Sequence, residues 1–145
     1  MNLWATWCES CVRELQEFGK LDKFLQSRGA TILALNVDGL ALDGGALSEG
    51  TIEEILKRAE YDFPHGIASR EGLAKIEMMI EFLTSRRESL TIPSSFLIDG
   101  EGHLSAIYVG EIQGKQLIKD IDLLRSPPAE QLKRATPRAG RWFYN

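Results

Sequence analysis

The succession of local patterns along these 145 residues predicts an α/β sandwich built on a mixed central sheet. Two observations carry that prediction. Short apolar runs of strand length alternate with longer segments whose apolar residues recur every three or four positions. Late in the chain, two apolar runs flank Asp99-Gly100-Glu101-Gly102 and read as a β-hairpin, which adds an antiparallel edge to a sheet otherwise joined by helical crossovers. A content of 43% hydrophobic and 26% charged residues suits one soluble core.

Met1 to Ala5 is the first strand. Val12, Leu15, Phe18, Leu21, Phe24 and Leu25 then keep helical spacing until Arg28-Gly29 ends the segment. Gly19 lies inside this helix, as a bend or a tolerated glycine, at a cost of about 1 kcal/mol relative to alanine. Thr31 to Val37 is a nearly continuous apolar run closed by Asp38-Gly39, the pattern of a buried parallel strand. A loop with four glycines over 39–50 follows, and Thr51-Ile52-Glu53-Glu54 offers a capping box for a helix reaching Tyr61.

His65 to Ala68 is a short strand. Ser69 caps a helix running to about Arg87, with Leu73, Ile76, Met79, Ile80 and Leu83 on its apolar face. That face, Met78 included, reads as core packing, and Arg86-Arg87 as a solvated helix end. Ile92-Pro93 leads into the hairpin strands, Ser94 to Ile98 and Leu104 to Val109. Gln113-Gly114 opens a last helix to Leu124, which Ser126-Pro127-Pro128 terminates. Residues 1–125 thus form the domain and 126–145 a linker or docking tail, whose Trp142-Phe143-Tyr144 reads equally as a contact with a neighbouring domain or as a disordered aromatic end.

Charge narrows the function classes. Residues 1–124 carry 12 basic and 20 acidic side chains, whereas residues 125–145 carry five basic and one acidic. An acidic body argues against nucleic acid as a partner, because phosphate binding relies on clustered Lys and Arg. No apolar stretch approaches the roughly 20 residues that span a bilayer, and no signal peptide is visible at Met1-Asn2-Leu3-Trp4.

The only two cysteines, in Trp7-Cys8-Glu9-Ser10-Cys11, stand where the first strand hands over to the first helix. Two thiols three residues apart at a helix N-terminus can interconvert between dithiol and disulfide, and the helix end stabilises the attacking thiolate. Zinc would need a second ligand pair, and only His65 and His103 remain, far off in sequence. No metal is expected. A purely structural disulfide across one helical turn would stabilise little. Peroxiredoxin chemistry lacks its Thr-x-x-Cys signature, since Ala5 stands three before Cys8. A copper-delivery role would want a histidine near the thiols, and His103 follows a hairpin turn.

Asn2-Leu3-Trp4-Ala5-Thr6-Trp7-Cys8-Glu9-Ser10-Cys11 together with Ile92-Pro93-Ser94-Ser95-Phe96-Leu97-Ile98-Asp99 and Gly102 resembles the thioredoxin-like superfamily, and within it the TlpA/ResA-type thiol-disulfide oxidoreductases. The resemblance spans about residues 1–125 and implies a three-layer α/β/α sandwich, with the strand and helix between Thr51 and Arg87 as its inserted pair. It implies Cys8 as exposed nucleophile, Cys11 as buried resolving thiol, Pro93 as a cis-proline facing them, Ile92 as a backbone partner for extended substrate, and Trp7 as shield and docking surface.

It also implies protein thiols or disulfides as partners, an upstream thiol reductant, no cofactor beyond the Cys8-Cys11 disulfide, further structure upstream of Met1, and export to the periplasm or beyond. Arg86-Arg87 to Tyr108 and Gly140-Arg141-Trp142-Phe143 are similar to redoxin modules within larger exported bacterial proteins. A non-catalytic binding module using the Pro93 face is the alternative.

Glu9-Ser10 departs from the family's usual Gly-Pro. The Glu9 carboxylate opposes a second negative charge on Cys8 while the helix N-terminus favours it, so the expected thiol pKa is moderately lowered and the couple reducing to intermediate. Asp38, ending the second strand, is a candidate proton relay to Cys11, against the simpler reading of a turn residue.

Overall fold

A computed structural model describes residues 1–40, 49–85, 90–127 and 141–143. Most of the expected glycine loop, Arg86-Arg87, and residues 128–140 and 144–145 of the tail lie outside the described residues.

The elements follow the expected order: β1 (Asn2–Trp4), α1 (Glu9–Gln26), β2 (Ala34–Asn36), α2 (Glu49–Arg58), β3 (His65–Ile67), α3 (Arg70–Thr84), β4 (Ser94–Ile98), β5 (Leu104–Val109), α4 (Gly114–Leu124) and β6 (Arg141–Phe143). The sheet order is β3-β2-β1-β4-β5-β6. β1, β2 and β3 pair in parallel, and β4, β5 and β6 add on antiparallel. This is the thioredoxin-like α/β sandwich. Residues 126–145, expected as linker or tail, contribute β6, whose Trp142 pairs with Ile107 at the sheet edge. The backbone groups on the free side of β5 explain the addition, since an unpaired edge is a template for one more strand.

β1 is short but fully buried, and it seats the cysteine segment. Leu3 and Trp4 have no exposed surface, and Leu3 is flanked by Leu35 on one side and Ser94 on the other. The core fills the space between this strand and α1 with Leu15, Phe18 and Leu25, which share one helical face. β2 covers only the centre of the apolar run predicted from 31 to 37, although Ile32 and Val37 beside it are also buried.

Gly19 is neither a bend nor idle. α1 runs unbroken through it, and a Cβ there would collide with the carbonyl oxygens of Ala59 and Glu60 at the end of α2. The missing side chain lets two helices approach closely. α2 itself begins two residues before Thr51, which therefore does not cap it as the capping box predicted.

α3 also differs from expectation. Ser69 caps it, accepting the Gly72 N–H at 3.0 Å, and Ser85 ends it in the left-handed region at φ 55°. Its face nevertheless packs only partly: Leu73, Ile76, Met79, Ile80 and Leu83 lean on the core, and no residue of the helix is fully buried. Met78, read as core, is 70% exposed, and Phe82 is 85% exposed.

Candidate functional site

The cysteine pair is built on the first turn of α1. Cys8 is the helix N-cap, with extended backbone at φ −92° and ψ 98°, a position normally held by a residue whose side chain accepts a backbone N–H. Its sulfur does so, accepting the Cys11 N–H at 3.2 Å. Cys8 and Cys11 are joined in a disulfide with their Cα atoms 5.2 Å apart. Cys8 keeps 7% of its surface exposed and Cys11 none. Cys8, expected to be exposed, is buried in the disulfide form, and Cys11 more completely so.

Neighbouring side chains divide by role. The Ser10 hydroxyl lies 3.4 Å from Cys8 Sγ. Trp7 is 57% exposed beside the pair, and Glu9 is exposed at the first helical position. Asp38 is buried and reaches the cysteine segment indirectly: its carboxylate accepts the Thr6 N–H at 3.0 and 3.2 Å and the Asn36 amide at 3.2 Å. These contacts give Asp38 a holding role for the loop between β1 and α1.

The Ile92-Pro93 peptide is cis. Register brings it to the cysteines' end of β1, because Leu3 pairs with Ser94 while the cysteine segment follows Trp4. The Pro93 carbonyl accepts the Gly110 N–H at 2.9 Å, and the Ser94 hydroxyl donates to the Thr91 carbonyl at 2.6 Å. Cys8, Cys11 and the Ile92-Pro93 turn therefore come from separate stretches of sequence to one end of the sheet.

Glu14 is the residue the sequence reading missed. One turn beyond Cys11, it is buried with no exposed surface and accepts the Asn2 amide N–H at 2.6 Å and the Ile112 backbone N–H at 2.8 Å. Burial raises its pKa to about 7, against the opposing pull of those two hydrogen bonds. It shares the buried face of α1 with Cys11, Leu15 and Phe18, a place the sequence alone does not assign to a glutamate.

On either side of Glu14 along α1, Arg13 pairs with Glu111 at 2.9 Å and Glu17 accepts the Gly114 N–H at 2.8 Å. The start of α4 is thereby held by carboxylates of α1, while its own N-cap, Gln113, makes no side-chain capping bond. This fastens residues 111–114 alongside the cysteine helix.

Among the described residues no group of three or more His, Cys, Asp or Glu side chains is placed to hold a metal ion. His103 pairs with Asp99 and Glu101 at the hairpin turn, and His65 with Glu53. A cavity of about 370 Å³ lies toward the opposite end of the sheet, lined by Met1, Phe18, Leu25, Phe96, Tyr108 and Leu117 among others. It touches neither cysteine, and reactive groups rather than cavity size identify the candidate site.

A mixed sheet whose first strand feeds a disulfide-capped helix, with a cis-proline turn arriving beside it, defines a thioredoxin-like protein. The Redoxin family model matches residues 1–122, and the chain belongs to that family. It is 26% identical over 137 residues to the thiol-disulfide oxidoreductase ResA of Bacillus thuringiensis subsp. konkukian (strain 97-27), covering 94% of this chain and 62% of that protein. To the sporulation thiol-disulfide oxidoreductase A of Bacillus subtilis (strain 168) it is 25% identical over 117 residues, covering 81% of this chain and 62% of that one. The chain thus spans about 62% of the length of these relatives.

Among solved structures, a thiol:disulfide interchange protein of Chlorobium tepidum TLS superposes with a TM-score of 0.68 at 23% identity, covering 84% of this chain and 75% of that one. StoA from Bacillus subtilis gives a TM-score of 0.56 at 24% identity, covering 82% and 78% of the two chains. These likenesses show the fold.

Proposed function

We propose that this chain is a protein thiol-disulfide oxidoreductase that exchanges the Cys8-Cys11 pair with a protein substrate, in the reductive direction. The observation that carries the reading is the disulfide at the N-cap of α1, with the Cys11 N–H directed at Cys8 Sγ. A thiolate at that position is stabilised by the helix N-terminus and by a backbone donor already in place.

In the reductive direction, the Cys8 thiolate attacks one sulfur of a substrate disulfide. A Cys8-substrate disulfide forms, and the other substrate sulfur leaves as a thiolate that takes a proton from solvent. Cys11, deprotonated, then attacks Cys8 Sγ. The Cys8-Cys11 disulfide forms, the second substrate thiolate is released, and two electrons have passed from enzyme to substrate. An upstream dithiol restores the reduced pair by the same exchange. No metal or organic cofactor enters the cycle.

Ile92 and Pro93 offer backbone to an extended substrate segment, and the exposed Trp7 ring adds apolar contact area. Asp38 acts by holding the Thr6 N–H and hence the loop that presents Cys8. Export of the protein belongs to this proposal by its resemblance to the TlpA/ResA-type oxidoreductases, and attachment to further domains by the resemblance of Arg86-Arg87 to Tyr108 and of Gly140-Arg141-Trp142-Phe143 to redoxin modules of larger proteins. No helix among the described residues is long and apolar enough to cross a membrane.

Replacing Cys11 by Ser removes the resolving thiol and leaves the attacking one. The Cys11→Ser protein is expected to accumulate partners covalently linked through Cys8 and released by dithiothreitol, while wild type turns over a protein disulfide. Absence of both trapping and turnover would leave a non-catalytic binding module as the reading.

A further inference from the structure

Ser10 places a hydroxyl beside the sulfur on which the exchange depends. Its Oγ is 3.4 Å from Cys8 Sγ, a distance within hydrogen-bond reach for sulfur. With Cys8 in a disulfide its sulfur bears no hydrogen, so the Ser10 O–H is the donor. The same sulfur accepts the Cys11 N–H at 3.2 Å, so two donors converge on it.

We propose that Ser10 is a catalytic hydrogen-bond donor that stabilises the Cys8 thiolate. The inference rests on the exchange reading above. Its chemical basis is differential: a disulfide sulfur is a weak acceptor, whereas a thiolate carries a full negative charge, and hydrogen bonds to charged groups are roughly twice as strong as neutral ones. When a partner dithiol reduces the pair, the Cys8–Cys11 bond breaks, the partner is oxidised to its disulfide and two electrons remain on the cysteines. The Ser10 O–H then points at an anion.

A proline or alanine at position 10 has no such group. The hydroxyl therefore offsets the unfavourable Glu9 carboxylate at the adjacent position, and explains how a Glu-Ser dipeptide can support an exchange site without a histidine in the motif. It also makes Cys8 a better leaving group when a substrate dithiol takes up the disulfide, since the anion stabilised in attack is the anion released in reverse.

The test is the pH dependence of iodoacetamide alkylation of the fully reduced protein, with the modified cysteine identified by mass spectrometry. The charged groups on the elements around Cys8 are Glu9, Arg13 and Glu14 on α1, Asp38 after β2 and Glu111 after β5. All are unchanged in the Ser10 variants. Ser10→Ala is expected to move the Cys8 profile to higher pH, so that alkylation below the midpoint slows by roughly three- to tenfold while the high-pH plateau is not reduced. Ser10→Thr, which keeps the hydroxyl, is expected to stay within about twofold of wild type across the profile.

Superimposable profiles for wild type and Ser10→Ala, or equal shifts in the Ala and Thr variants, overturn the proposal while leaving the exchange reading intact if Cys8 is selectively alkylated and turnover persists. Loss of Cys8 selectivity in wild type, together with no disulfide turnover, overturns the exchange reading and this inference with it.

Discussion

At the scale of single residues, the cysteine helix carries two kinds of polar group, and only one was legible in the sequence. Cys8 and Cys11 announced themselves by spacing and position, and Pro93 by its resemblance to a known turn. Glu14 did not, because a glutamate within an amphipathic helix ordinarily faces water; its burial follows from the faces of β1 and of the 111–114 segment closing over it. The Asn2 amide N–H groups donate to the Glu14 carboxylate and to the Ser95 hydroxyl, while the Asn2 Oδ1 is buried without a hydrogen bond.

The consequence for stability has a definite sign. A carboxyl whose folded pKa is raised to about 7 from 4.5 binds more protons when folded than when unfolded across that interval. Stability is therefore greatest below the unfolded value and falls as pH rises through the folded one, by up to about 3 kcal/mol for this group. Over the same window the buried Met1 amine, whose pKa burial lowers to about 6, gains stability as pH rises, so the Glu14 contribution is read as a difference: in urea denaturation the change from pH 5 to pH 8 is expected to be less favourable in wild type than in Glu14→Gln. Equal changes in the two proteins would show that Glu14 is not the titrating group.

Among the elements, periodicity located nearly every helix and strand, and tertiary contacts decided what each does. Gly19 is the sharpest case. Helix propensity alone makes Gly19→Ala stabilising by about 1 kcal/mol. The added methyl, however, meets backbone oxygens of Ala59 and Glu60 that no rotamer change can move away, and such overpacking costs about 1–3 kcal/mol. Steric conflict is expected to win, lowering the denaturation midpoint; a raised midpoint would show that α1 and α2 separate easily.

α3 and β6 mark the limits of pattern reading. The i, i+3, i+4 pattern of α3 correctly gave a helix with one apolar side, but periodicity cannot say how closely that side is covered, and Phe82 stands outside it. β6 has too little sequence around Arg141–Phe143 to signal a strand, and its pairing with β5 is a long-range contact. The Asp38 carboxylate is a similar case: a strand-end acid in sequence, it becomes the acceptor for a backbone N–H on the cysteine loop only through the parallel pairing of β1 with β2.

Over the whole molecule, the fold converts separated segments into one end of a sheet. β1 delivers the disulfide, β4 begins at the cis-proline turn, and the segment after β5 is fastened to α1 by Arg13, Glu14 and Glu17. The central claim is that this assembly makes Cys8-Cys11 an exchanging couple rather than a structural staple. The measurement that tests it most directly is the equilibrium of the pair with thiol redox buffers, read by mass spectrometry after alkylation. The account predicts a reversible two-electron transition between about −280 and −180 mV, the range of reducing to intermediate exchangers. A disulfide that resists reduction down to about −300 mV, as structural disulfides do, or a couple near the strongly oxidising value of about −120 mV, would contradict it.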